Sequence, residues 1–278
     1  MRTIITGANG MLGRDLQRVL PPGDMVPLSS SELNVTDTEA VRGAFKEIRP
    51  AMVIHTAAAT DVDACELHPE IAYNVNSLGS RNVARAGEEV GATVVYISTD
   101  YVFDGLQNDP YIEFDAPHPL NVYGKSKLAG ERFVRELCRK HYIVRTSWLF
   151  GKNGKNFVRT IMRLGKERED IRVVADQFGS PTYTYHLAQK IKEVVATERF
   201  GIYHITNSES CSWYQFANAV LRHQQSQARL VPIETADYPV PAPRPKNSVL
   251  RNFVLQLEGV PLLPPWQEAL NEFFTESQ

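Results

Sequence analysis

The chain has 278 residues, of which 43% are hydrophobic and 22% charged, and its formal net charge is −2. That is the composition of a soluble globular protein, and at this length folding removes about three-quarters of the chain's surface from water. No basic block stands out, which excludes a sequence-independent grip on nucleic-acid phosphates. The three cysteines, Cys65, Cys138 and Cys211, are odd in number, widely spaced and without a CxxC. They argue against a disulfide framework and a zinc site, and they read as small buried apolar residues. A strand begins at about residue 2, leaving no room for a signal peptide, and no apolar run reaches ~18 residues. A cytoplasmic protein with no membrane partner is expected.

Strand and helix signals alternate through the first half. "TIIT" is a short apolar strand, and "MLGRDLQRVL" has helical spacing and stops at Pro21-Pro22. "DMVPLS" reads as a second strand. "TDTEAVRGAFKEIRP" reads as a helix capped by Thr36 or Thr38, followed by the strand "AMVIHTAA". "NVNSLGSRNVARAGEEVG" is a helix ending at Gly91, and "TVVYIS" is a strand. "NVYGKSKLAGERFVRELCRKH" is a long helix, and "YIVRTSWLF" is a further strand. Apolar strands separated by helices imply an α/β fold, a Rossmann-type doubly wound parallel sheet covered on both faces.

Beyond residue 150 the rhythm breaks. "GKNGKNF" is a loop, and residues 232–245, with five prolines, are expected to be largely irregular. "CSWYQFANAVLRH" and "PPWQEALNEFF" are amphipathic helix candidates. The division expected is a dinucleotide-binding domain over 1–150 plus about 184–205, which takes in "TYHLAQKIKEVVATE". A smaller α/β substrate-binding lobe takes about 151–183 and 206–278.

Gly7, Gly10 and Gly13 sit between the first strand and the first helix, where a dinucleotide turn belongs. Glycine there permits the tight turn, the approach of a pyrophosphate and close helix–strand packing. The spacing is GxxGxxG rather than GxGxxG, so alone it fits a structural turn equally well. An acid at the end of the second strand would hold the ribose 2′-hydroxyl, but "LSSSE" puts Ser29 there. That leaves room for a 2′-phosphate, with no arginine to pair with it. The reading leans to NADPH over NADH.

Tyr123 and Lys127 lie four apart at a helix start, so both face one side. A phenol with an unperturbed pKa of about 10 exchanges its proton poorly near neutrality, and a nearby ammonium together with the positive charge of an oxidised nicotinamide lowers that pKa. Such a tyrosine can donate a proton to a carbonyl oxygen as hydride arrives at carbon. Ser98, Thr99 and Asp100 follow a buried strand at the carboxyl edge, where open sheets bind ligands. Thr99 can offer its hydroxyl to the same oxygen.

On "GANGMLGRDL", "AAATDVDACE", "YISTDYVFDG", "PLNVYGKSKLAGE", "VRTSWLFG", "DQFGSPT" and "RPKNSVL", nearly the whole chain resembles the extended short-chain dehydrogenase/reductase family. Within it, the likeness is to reductases of dTDP-linked 4-keto-6-deoxy sugars. The resemblance implies Thr99, Tyr123 and Lys127 as the catalytic set. It implies cofactor contacts at Gly10, Met11, Leu12, Ala58, Ala59, Thr60, Tyr123 and Lys127, with Ser98 beside them. Asn34-Val35 stands where an Asp-led pair often touches the adenine ring. Sugar-nucleotide contacts fall on Thr99, Asp100 and Trp148. Some relatives hold magnesium at a dimer contact; Asp15 and Glu272 are the nearest matches, the set is incomplete, and no metal is expected. The oligomeric state stays open, a homodimer being one option.

Three further groups carry two readings each. His55 ends a buried strand and reads as a satisfied core group or as a lining of the cofactor pocket. Asn76 orders the active-site helix or makes a helix-interior hydrogen bond. Arg244 and Lys246 pair with the nucleotide diphosphate or are exposed loop charges. The rival functions are a dehydratase or epimerase with tightly held NAD and a non-catalytic partner resembling the regulatory subunit of methionine adenosyltransferase. Dehydratases of this family carry an Asp-Glu pair after the threonine, where this chain has Asp100-Tyr101.

Overall fold

The first strand, β1 (Thr3–Thr6), is buried along its whole length, as a strand covered on both faces must be. The structure is a computed structural model that describes residues 2–275. β1, β2 (Met25–Leu28), β3 (Met52–His55), β4 (Thr93–Thr99), β5 (His141–Thr146) and the strand Gly201–His204 form one sheet. Every pairing in it is parallel. The spatial order is Gly201–His204, β5, β4, β3, β1, β2. Winding therefore reverses between β1 and β3, which makes the carboxyl ends of these strands the place for a ligand.

Alternate side chains feed the two faces. Ile5, Ile54 and Val95 pack beneath helix α1 (Met11–Val19) and the helix Thr184–Val195. Ile4 and Val53, and then Val94 and Tyr96, pack beneath the helices Thr38–Ile48, Ser80–Glu89 and Val122–Leu137. The smaller lobe has its own core of Phe150, Ile161, Phe216, Trp266 and Phe273, beside the parallel pair Asp170–Val174 and Arg229–Ile233. All three cysteines are free and buried. Among the described residues, no helix is long and apolar enough to cross a membrane.

Four local differences from the sequence reading have physical causes. Neither Thr36 nor Thr38 caps the second helix: Asp37 does, accepting from the Ala40 amide at 3.0 Å. Thr36 turns to Asn34 and Thr38 to Asn82. The helix expected from residue 74 opens as a π-helical turn, Asn74–Gly79, before the α-helix starts at Ser80. The strand "YIVRTSWLF" breaks after Thr146, because Trp148 takes a left-handed conformation (φ 47°) and Leu149–Phe150 pairs instead with Thr182–Tyr183. Finally, Leu255 and Leu263, within the stretch assigned to the smaller lobe, pack into the core of the sheet.

Candidate active site

β1 ends at the glycine turn. Gly7 has φ 67°, and a Cβ on it would lie 2.7 Å from the Ala57 nitrogen. A Cβ on Gly13 would lie 2.6 Å from the Gly7 carbonyl oxygen, so a side chain here would push α1 off the turn. α1 starts after Gly10 with no side-chain cap, leaving its first N–H groups open. This is the arrangement that accepts a phosphate.

From this turn a cavity of about 660 Å³ runs along the carboxyl edge of the sheet. After β2 it is lined by Ser30, Asn34 and Val35, and after β1 by Gly7, Gly10, Met11, Leu12 and Gly13. Ala58 and Thr60 follow β3; Ser98 and Thr99 end β4 and Asp100 follows it; Tyr123 and Lys127 come from the helix Val122–Leu137. The smaller lobe contributes Lys155, Asn156 and Trp213, and Trp148 stands at the junction. A nucleotide-sized apolar trough with an uncapped helix at one end fits a dinucleotide.

Three residues expected here do not line the cavity. The Ser29 hydroxyl donates to the Glu32 carboxylate at 2.6 Å, and its amide does so at 2.8 Å, so Ser30 lines the cavity in its place. Ala59 is drawn back by Asn76, which accepts from the Ala59 amide at 2.8 Å and donates to its carbonyl at 3.0 Å. Arg244 is committed to Asp63 through two contacts of 2.6 and 2.8 Å, and this pairing holds the Asp63 carboxyl below the ordinary range. The structure thus offers no free Arg244 to a diphosphate. His55 is likewise outside the lining: Thr6 and Ser80 satisfy its two ring nitrogens, and burial pushes its pKa down to about 3.

Helix Val122–Leu137 is capped by Asn121, which accepts from Gly124, and this cap sets Tyr123 in the first turn. Burial drives the Tyr123 phenol above its ordinary pKa, while a hydrogen bond with Thr99 pulls the other way. Thr99 also donates to Asp100 Oδ1 at 3.0 Å. Burial lifts the Asp100 carboxyl to about 7. Burial is the dominant influence on the Tyr123 phenol. Lys127 Nζ donates to the Ile97 carbonyl at 2.6 Å and lies 4.2 Å from the centre of the Tyr96 ring. Burial pushes this ammonium down to about 7, against the pull of Glu131.

Beneath these groups lies a buried polar layer that the sequence reading did not resolve. Arg145 grips Glu131 with two bonds of 2.9 and 2.8 Å, and Ser98 donates to the same carboxylate at 2.5 Å. Ser98 thus spends its hydroxyl on the scaffold. Asn76, set by the π-helical turn, also donates to Ser126 at 3.0 Å, tying the loop after β3 to the helix Val122–Leu137.

The smaller lobe closes the cavity with aromatic rings. Trp148 and Trp213 stack with centroids 3.4 Å apart and planes 7° from parallel. Phe157 lies 4.5 Å from Trp213, and a Cβ on Gly179 would come within 2.3 Å of Trp148. Trp213 was legible only as part of an amphipathic helix. Asp15 and Glu272 do not meet: Asp15 accepts from Thr184 and Arg18, and Glu272 pairs with His186.

The profile of the family described as RmlD substrate binding domain matches residues 1–278. The chain belongs to the RmlD substrate binding domain family. It is similar to a dTDP-4-dehydrorhamnose reductase from Bacillus anthracis strain Ames, solved in complex with NADP, at 48% identity and a TM-score of 0.97 over 99% of each chain. A dTDP-4-dehydrorhamnose reductase from Burkholderia thailandensis is 41% identical over 97% of each chain. The spore coat polysaccharide biosynthesis protein SpsK of Bacillus subtilis is 38% identical, over 99% of this chain and 97% of its own length.

Proposed function

We propose that this protein reduces the C4 keto group of dTDP-4-dehydro-L-rhamnose to give dTDP-L-rhamnose, with NADPH as reductant. The observation that carries the reading is the convergence of Thr99, Tyr123 and Lys127 on the cavity that starts at the uncapped glycine turn. Residues Met11 and Leu12 at the start of α1 would receive the cofactor's phosphates, and Ala58 and Thr60 would flank it. When bound, NADPH supplies the hydride that C4 accepts. Tyr123 then gives its proton to the C4 oxygen, and Thr99 hydrogen-bonds to that oxygen. Burial keeps the phenol protonated until that moment. Lys127, one turn further on, stabilises the resulting phenolate and holds the nicotinamide ribose.

NADPH is preferred over NADH on this reading because Ser30, and no carboxylate, lines the cavity beyond β2. Tyr101 follows Asp100, so a second acid for dehydration is missing at that position. The test is the loss of NADPH absorbance when dTDP-4-dehydro-L-rhamnose is added to the purified protein. Consumption of NADPH equal to dTDP-L-rhamnose formed is expected. Conversion of the sugar by tightly held NAD, with no net use of NADPH, would replace this reading with an epimerase or dehydratase. Absence of any turnover, with capture of a partner enzyme, would replace it with a regulatory role.

A further inference from the structure

On the reading above, two anionic diphosphates enter this cavity, one in the cofactor and one in the nucleotide sugar. Among the lining residues only Lys127 and Lys155 are cationic. Lys127 is engaged beside β4, where it donates to the Ile97 carbonyl. Lys155 is exposed and has no hydrogen bond or ion pair among the described residues.

Its neighbours fix where the loop carrying it lies. Asn156 donates to the Gly151 carbonyl at 2.8 Å, and the same amide lies 3.5 Å from the sulfur of Met11. Gly154, at φ 73°, approaches so closely that a Cβ on it would lie 3.2 Å from Met11 Cγ. Met11 is the first residue of α1. The loop 151–156 of the smaller lobe is therefore laid against the open N-terminus that faces the cavity. Asn156 also caps the helix Phe157–Glu167, accepting from the Arg159 amide at 3.0 Å, so the loop is anchored at its far end.

We propose that Lys155 clamps the cofactor's pyrophosphate from the smaller lobe, pairing with the phosphates seated on the N-terminus of α1. The sheet lobe has no lysine or arginine of its own in the lining near that turn, so the helix end and this one ammonium together supply the positive field. The inference rests on the reading of the cavity as an NADPH site. Cofactor affinity then depends on a residue outside the sheet that carries the glycine turn.

The experiment is a fluorescence titration of the whole chain with NADPH, and separately with dTDP, for four proteins. These are wild type, Lys155→Met, Lys155→Arg and Lys152→Met, the last removing a charge from the same loop outside the lining. Losing a partly screened charge-assisted bond should raise the NADPH Kd of Lys155→Met roughly 10-fold and flatten its dependence on salt. Lys155→Arg should stay near wild type, Lys152→Met should be unchanged, and dTDP affinity should not move. The proposal is overturned if Lys155→Met binds NADPH normally, if Lys152→Met loses as much, or if only dTDP binding suffers. Failure of the wild type to bind NADPH would instead remove the functional reading beneath it.

Discussion

Lys127 points its ammonium at the Ile97 carbonyl, 2.6 Å away, while the phenol of Tyr123, one turn earlier on the same helix, is buried beside Thr99 and Asp100. Burial acts on both groups in the same sense, since each is pressed towards its neutral form. A neutral phenol is ready to donate a proton. A neutral amine is not ready to receive the phenolate that donation leaves behind.

That asymmetry sets the pH dependence. Lys127, pushed down to about 7, carries its charge below that pH and loses it above. Asp100, lifted to about 7, gains a negative charge over the same interval, next to the phenol. Both changes oppose formation of a phenolate as pH rises. The value of kcat/KM for the keto sugar, which reports groups of the free enzyme, should therefore fall as pH rises through about 7. A profile flat from acid to strongly alkaline pH would show that neither group matters to the step.

The ion pair under the site should dominate local stability. Arg145 and Glu131 are both almost fully buried. Glu131→Gln leaves the guanidinium without its counter-charge, at a cost of about 3–5 kcal/mol. Denaturant unfolding measures this directly, and a loss below about 1 kcal/mol, the scale of an exposed pair, would show that the site relaxes or admits water.

The aromatic wall makes a separate claim about the substrate. Trp148 holds a left-handed backbone, which costs of order 1–3 kcal/mol and persists only where its surroundings demand it. The surroundings are Trp213 on one side and the bare Gly179 on another. Gly179→Ala puts a methyl group where the Trp148 ring now lies. The KM for the nucleotide sugar should rise at least ~10-fold, about 1.4 kcal/mol, with NADPH affinity unchanged. Steady-state kinetics in each substrate separates the two, and an unchanged sugar KM would place the wall outside the substrate's path.

How much of this was readable beforehand follows from the range of the interactions. The strands declared themselves through short β-branched runs, and the order Gly7, Thr99, Tyr123, Lys127 carried its own spacing. Features made by distant partners did not. Arg244 meets Asp63 across 181 positions, and nothing near either residue announces the pair. Trp213 reads as the apolar face of a helix, because its stacking partner lies on another element. Lys155 looks like a loop charge until the loop is seen lying on Met11. Two misses were local. Asp37 outcompeted the adjacent threonines as a cap, and Ser29 was taken by Glu32 three residues on, a contact that the "SSSE" run itself permits.

The most direct test is turnover by Tyr123→Phe at saturating NADPH and keto sugar, with NADPH binding followed in parallel by fluorescence. Loss of the proton donor should cut kcat by at least ~10²-fold while the Kd for NADPH stays close to that of the wild type. A variant that still consumes NADPH at the wild-type rate would contradict the assignment of the proton to this phenol.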